Sequence, residues 1–212
     1  MTTLFIVRHS EPIKDLLGNY KCDEIEQLQN EKIILSVNGE AKAYKMSKLK
    51  ELQNIDALYS SNYVRTMSTA KYIAENNQIK LNADQRLGER KFGVNSLNEL
   101  PQDFFEHQFS DWNYKINDGE SLLEVSKRMQ EALLEILKNN ENKRVVLVSH
   151  GTALSVMLKK WCEIKLNEET KLVEIYFNNN LVFDGNWQLP ELFKLVFDKD
   201  KLIGIKNIKI DY

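Results

Sequence analysis

Short apolar runs that end abruptly set the hydrophobic pattern of this chain. Leu4–Val7 is the first: four apolar residues followed at once by Arg8, His9, Ser10 and Glu11. A run that is apolar at every position, rather than every second one, predicts a strand buried on both faces. Ile55–Tyr59 (IDALY) is a shorter run, interrupted at Asp56, and Arg144–Ser149 (RVVLVS), apolar over Val145–Val148, reads as the third strand. Helical spacing follows the later two. After Ser60, residues Val64, Met67, Ala70 or Lys71, and Ala74 recur at the right interval, and Gly151–Trp161 reads as a helix leaving the third strand. Ser36–Leu52 is weakly amphipathic. Ser121–Leu137 is sharper: Ser121 and Glu124 form a capping box, and Leu122, Val125, Met129, Leu133 and Leu137 fall on one face. The C-terminal stretch ELFKLVFDKDKLIGIKNIKI alternates around DKDK and predicts an edge hairpin.

Strands alternating with helices predict an α/β fold, a three-layer α/β/α sandwich with a mainly parallel central sheet. The 212 residues contain no repeat, low-complexity tract or Pro/Gly/Ser linker, so one domain over 1–212 is expected. Apolar residues make up 42% of the chain, enough for a sizeable core. The net charge of −2 argues against a nucleic-acid partner. The N-terminal apolar run is too short for a signal peptide, and no stretch approaches the ~20 apolar residues of a membrane helix. Cys22 and Cys162 lack metal or disulfide spacing and read as reduced thiols, which places the expected location in the cytoplasm.

The chemistry lies where the apolar runs stop. The first strand ends in Arg8-His9, the second leads to a helix start bearing Arg65, and the third ends in Ser149-His150-Gly151. In open α/β sheets, ligands bind outside the carboxyl ends of the parallel strands. If these strands are neighbours, two Arg and two His converge beside the helix start at Gly151, which favours an anion. Guanidinium groups match phosphate oxygens two at a time. Imidazole can attack phosphorus, so one His serves as nucleophile while the other donates to the phosphoryl oxygens. Two Arg and a second His can stand in for a metal, and no cofactor is implied. A carboxylic acid must protonate the leaving alkoxide, and Glu89 in RLGERKFG is the candidate. Alone, each residue has a plainer reading: His9 as a structural histidine, Arg65 as a solvated helix residue, Glu89 as half of a surface pair with an Arg neighbour.

Taken together, the blocks resemble the histidine phosphatase superfamily, the phosphoglycerate mutase-like family. RHS at Arg8–Ser10 is similar to its Arg-His-Gly signature, and SSNYVRTMSTA at Ser60–Ala70 to its Ser-Ser-x-x-x-Arg-x-x-x-Thr-Ala block. LGERKFG at Leu87–Gly93, GES at Gly119–Ser121 and SHG at Ser149–Gly151 follow in family order. The resemblance implies that His9 is the phosphorylated nucleophile and Glu89 the proton donor. It implies that Arg8, Arg65, His150 and the backbone N–H of Gly151 bind the phosphoryl group. Ser10 stands where the family has Gly and could add a hydroxyl near the phosphate. Where the family has a phosphate-binding loop Asn, this chain has Asp15 at the usual spacing and Asn19 later, and either could take its place.

The resemblance also places a substrate-covering insertion around 90–118. The stretch Asn95–Tyr114 carries Phe104, Phe105, Phe109, Trp112 and Tyr114, most expected to dock the segment and one or two to face substrate. Arg90 and Lys91 read as solvated charges, His107 as an ordinary surface histidine and Cys162 as core. Family mutases carry a longer, basic insertion, whereas about 29 acidic and aromatic residues separate Glu89 from Gly119 here. The expected function is therefore metal-independent hydrolysis of a small phosphorylated metabolite through phospho-histidine. Mutase-type phosphoryl transfer and a non-catalytic phosphate-binding module are the alternatives. His9, His107 and His150 lack HxH or HExxH spacing, so no metal site is expected. Oligomeric state has no signature in the sequence.

Overall fold

A computed structural model of the chain describes residues 1–13, 30–94 and 97–211. Its elements, in chain order, begin with β1 (Thr2–Arg8), α1 (Val37–Ser47), β2 (Ala57–Ser60), α2 (Val64–Asn77) and β3 (Leu81–Ala83). They continue with α3 (Phe104–Ser110), α4 (Leu122–Asn139), β4 (Arg144–Ser149) and α5 (Gly151–Met157). The last are β5 (Glu163–Leu166), β6 (Val173–Phe177), β7 (Asn180–Phe183), β8 (Glu191–Asp198) and β9 (Lys201–Ile208).

The central sheet has six strands in the order β3-β2-β4-β1-β8-β9. The first four are mutually parallel, and β8 and β9 add an antiparallel hairpin at one edge. This is the mainly parallel sheet with flanking helices that the alternating pattern predicts, and the DKDK segment forms the hairpin turn. Leu4–Val7 sits in β1 between β4 and β8, and all four side chains are buried. Their alternation divides the core. Leu4 and Ile6, with Val145 and Leu147, pack under α4 and α5. Phe5 and Val7, with Val146 and Val148, pack under α1 and α2 through Met46, Ala70 and Ile73. Each such side chain stabilises the fold by about 1.5 to 3 kcal/mol.

Helix ends follow the sequence signals. Ser121 and Glu124 form the complete capping box at the start of α4. Ser36 caps α1 by accepting the Gly39 N–H. The helix after β4 is shorter than the sequence pattern, ending at Met157 before a 3₁₀ turn over Leu158–Lys160. In α2 the buried face is Arg65, Thr66, Thr69, Ala70 and Ile73, so of the predicted stripe Val64, Met67, Ala70 or Lys71, and Ala74 only Ala70 is fully buried. This face carries Arg65 inward. A second sheet, β5-β6-β7, has no counterpart in the sequence reading. Asn178 and Asn179, both at positive φ, make the tight turn between β6 and β7. Ile175 and Phe183 join this small sheet to the core beneath α4 and α5. Cys162 is buried, and burial pushes its thiol up to about 12; Cys22 lies outside the described residues.

Candidate active site

Parallel pairing brings the carboxyl ends of β1, β2 and β4 to one edge. Arg8 pairs with Ser149 and Ser60 with Val148, so the chain leaves all three strands side by side. The His9 N–H donates to the Ser149 carbonyl at 3.0 Å, and the Ser61 N–H donates to the Val148 carbonyl at 3.0 Å. The His9 and His150 rings meet edge-on, with centroids 5.3 Å apart. Arg65 reaches the same spot from α2, its Nη2 donating to Nδ1 of His150 at 3.0 Å. Its other terminal nitrogen donates to the Asn30 carbonyl. Four of the residues expected to converge thus do so: Arg8, His9, Arg65 and His150.

Hydrogen bonding fixes the state of both imidazoles. Nδ1 of His9 lies 2.7 Å from the Ser10 carbonyl, an acceptor, so Nδ1 carries the proton and Nε2 keeps its lone pair. Arg65 can only donate, so Nδ1 of His150 accepts, and its Nε2–H donates to Ser61 Oγ at 3.0 Å. Both nitrogens of His150 are therefore committed to protein groups. Direct donation from His150 to a phosphoryl oxygen requires exchange of one of these bonds. Burial holds His9 well below the ordinary imidazole value, reinforced by the Arg65 charge. Burial does the same to His150, followed by Arg65 and then His9. Both rings are neutral, and Nε2 of His9 keeps a free lone pair.

The arginines are themselves desolvated. Burial lowers both Arg8 and Arg65 from the usual guanidinium value, opposed in each case by the nearby Glu89 carboxylate. Arg8 lies over the Trp187 ring at 5.6 Å, and its Nε is buried without a hydrogen-bond partner. A buried donor of this kind has bonding capacity to spend on an anion. Glu89 stands on the far side: its Oε1 accepts from the Arg90 and Ala153 N–H groups, both at 3.0 Å. That anchors one oxygen of a residue that, with Arg8 and Gly151, lines the adjoining cavity.

Ser10 departs from expectation. Its hydroxyl donates to the Gly39 carbonyl at 2.7 Å and its N–H to Thr69 Oγ1 at 2.9 Å. The residue is fully buried and fastens the loop after β1 to α1 and α2, so its hydroxyl is already engaged by the Gly39 carbonyl. Thr69, four residues after Arg65, is what the second block adds at this point, and sequence reasoning missed it. Arg90 also needs correction. It is 1% exposed rather than solvated, with its guanidinium 4.8 Å from the Phe104 ring and donating to the Glu120 carbonyl and to Gln108. His107 is exposed, pairing with Asp103. Asp15 and Asn19 lie outside the described residues.

Arg128 is a second residue without a sequence signal of its own. From α4 it donates to the carbonyls of Arg86, Gly88 and Glu89, and it grips both oxygens of the Glu120 carboxylate. It thereby ties the Gly-Glu-Ser block to the backbone that carries Glu89. Among the described residues, no group of three or more His, Cys, Asp or Glu is placed to hold a metal ion, and no helix is long and apolar enough to cross a membrane.

A family model described as the histidine phosphatase superfamily (branch 1) matches residues 4–179. A protein of Yersinia enterocolitica named "Probable phosphoglycerate mutase GpmB" is 29% identical over 181 residues, 81% of this chain and 80% of that protein. A protein of the same name from an Enterobacter species is 30% identical over 167 residues, 74% of each chain. Among solved structures, phosphoserine phosphatase from Entamoeba histolytica in complex with 3-phosphoglyceric acid superposes with a TM-score of 0.66. It is 23% identical and is covered over 98% of its length by 99% of this chain. A mycobacterial glucosyl-3-phosphoglycerate phosphatase with inorganic phosphate gives 0.67 at 17% identity, over 98% of this chain and 95% of that one. At these identities the superpositions show the shared fold.

Proposed function

The chain belongs to the histidine phosphatase superfamily, and on that premise we propose that it hydrolyses phosphomonoesters through a phosphorylated His9, without a metal. The observation that carries this reading is the His9 ring, whose Nδ1–H is held on the Ser10 carbonyl so that the lone pair sits on Nε2.

Nε2 of His9 attacks the phosphorus of a phosphomonoester, the P–N bond forms, and the P–O bond to the alcohol breaks. The departing oxygen takes its electron pair and a proton from the Glu89 carboxyl. Arg8, Arg65 and the Gly151 N–H bear the charge spread over the three phosphoryl oxygens, with His150 holding Arg65 in place. In the second half, the Glu89 carboxylate takes a proton from water, whose oxygen attacks phosphorus and releases neutral His9.

The test is hydrolysis of para-nitrophenyl phosphate in excess chelator, with a rapid quench into base, which spares a phosphoramidate. Turnover and a base-stable phosphoryl label are expected, both lost in His9→Ala. Failure to turn over any phosphomonoester overturns the reading in favour of a phosphate-binding module.

Mutase-type transfer is the second reading, favoured by the names of the bacterial relatives. Here the phosphoryl group on His9 returns to a second hydroxyl of the bound acid instead of to water. Interconversion of 3- and 2-phosphoglycerate faster than release of inorganic phosphate decides for it.

A further inference from the structure

Beside the His9–Arg65–His150 cluster lies a cavity of roughly 490 Å³, and its walls differ in character from its floor. The floor is Arg8, Gly151 and Glu89. The 92–109 segment contributes Phe92, Phe105 and Phe109 to the cavity lining, and β5, β6 and their connection contribute Leu166, Val173 and Leu172. Trp187 closes the base against Arg8 at 5.6 Å. Phe105 is 54% exposed, although it packs edge-on against the buried Phe104. An aromatic face left uncovered at the lip of a cavity is ready to cover something else.

Charge points the same way. Among the described residues, Arg90 and Lys171 also line this cavity, and each has a partner. Arg90 is packed over Phe104 and bonded to Gln108 and Glu120. Lys171 Nζ stands 3.8 Å from Glu106 Oε1, joining the β5–β6 connection to α3. Among the described residues of the lining, a substrate bearing a second anion, whether carboxylate or phosphate, would meet the carboxylates of Glu89 and Glu106, with Arg90 and Lys171 already paired. Burying it there would cost more than burying an apolar group of equal size.

We infer that this cavity selects phosphomonoesters whose alcohol portion is apolar and uncharged, packed against Phe105 and Phe109 and against Leu166, Leu172 and Val173. The small β5-β6-β7 sheet is then a specificity wall. The inference deepens the hydrolase reading and rests on it for the position of the phosphoryl group.

The experiment has two arms. The first compares kcat/KM for methyl, butyl, hexyl and benzyl phosphate with that for 3-phosphoglycerate and phosphoserine. Primary alkyl and benzyl esters are chosen because their leaving groups are similarly basic, so the trend reports binding and not leaving-group chemistry. We expect a rise of at least about tenfold from methyl to benzyl phosphate, with both charged substrates below benzyl phosphate. The second arm measures Kd for methyl-, butyl- and benzylphosphonate, which cannot be hydrolysed. The same gradient is expected, reduced severalfold by Phe105→Ala with methylphosphonate affinity unchanged. A flat or inverted phosphonate series overturns the inference whether or not the esters turn over. Ester turnover led by 3-phosphoglycerate or phosphoserine overturns it while leaving the hydrolase reading intact. A phosphonate gradient without any ester turnover upholds the apolar subsite and overturns the hydrolase reading alone.

Discussion

Arg65 donates a hydrogen bond to Nδ1 of His150 at 3.0 Å, and this bond exists only while the imidazole is neutral. A permanently charged guanidinium pressed against a fully buried ring makes protonation of that ring costly twice over, through burial and through like charge. His9, 5.3 Å away, shares both penalties. The site is therefore assembled around two histidines that bind no extra proton at pH values where free imidazole does.

The first consequence is a stability loss on acidification. In the unfolded chain both histidines take up protons near the ordinary value of about 6.5. In the folded chain they titrate well below it. Below about pH 6.5 the unfolded state thus holds more protons, and stability falls as pH falls, by up to about 1.4 kcal/mol per pH unit for each histidine. Denaturant unfolding between about pH 7 and about pH 5 measures the slope. His150→Gln and His9→Gln should each reduce it; slopes identical to wild type would show that these rings do not titrate as their burial requires.

Ser10→Ala separates fastening from phosphate binding. The hydroxyl bonds to the Gly39 carbonyl, and a Cβ on Gly39 would stand 2.0 Å from the Glu11 carbonyl oxygen, so α1 and the loop after β1 lie in direct contact. Removing the hydroxyl leaves a buried carbonyl short of a partner and should cost about 1 to 3 kcal/mol of stability. Affinity for inorganic phosphate, measured by calorimetry well below the melting temperature, should stay within about twofold. A loss of phosphate affinity without loss of stability would return the hydroxyl to the anion site.

Arg128 should behave as a positioning residue for Glu89. Arg128→Met frees the carbonyls of Arg86, Gly88 and Glu89 and strands the Glu120 carboxylate, which is mostly buried. We expect kcat to drop about tenfold to a hundredfold with KM little changed, because the misplaced group acts on the leaving oxygen. Adding Glu120→Gln removes the stranded charge and should restore stability while kcat stays low. Recovery of both together would mean a purely structural role.

How much of this was legible in the chain depends on the kind of signal. The continuous run Leu4–Val7 places His9 at the lip of the sheet because burial on both faces leaves only the strand end for a polar pair. His150 follows from β4 by the same logic. The turn of α2 was only partly legible: Ala70 of the predicted stripe is buried, but Val64, Met67 and Ala74 are only half-buried, and what turns Arg65 and Thr69 inward is hydrogen bonding to His150 and Ser10, which are distant in sequence. The sheet β5-β6-β7 was missed because its strands are half-exposed and short, so alternation such as EIKL is weak. Arg90 was misjudged for a related reason. Composition marks an Arg beside a Lys as solvated, and only the aromatic partners arriving from Phe92 and Phe104 make its burial possible.

That burial leads to the last prediction. Arg90 is 1% exposed, and desolvation pulls its guanidinium down to about 10. Its Nε donates to the Glu120 carbonyl at 2.7 Å, and Nη1 donates to Gln108, itself on α3. The planar fork spans the loop after Glu89, the turn before α4 and α3, while its faces cover two aromatic rings. Lysine has the charge but neither the fork nor the flat surface, so Arg90→Lys should not substitute for it. The expected result is a local loosening of the 104–114 segment, read as faster amide exchange at Phe104 and Gln108, with exchange in β1 and β4 unchanged. Affinity for methylphosphonate should hold, because the proposed phosphate site at Arg8 and Arg65 lies outside this segment. The gradient from methyl- to benzylphosphonate should shrink, because Phe105 and Phe109 ride on the loosened helix. Unchanged exchange across α3 in the variant would show that the segment is held by its aromatic packing alone.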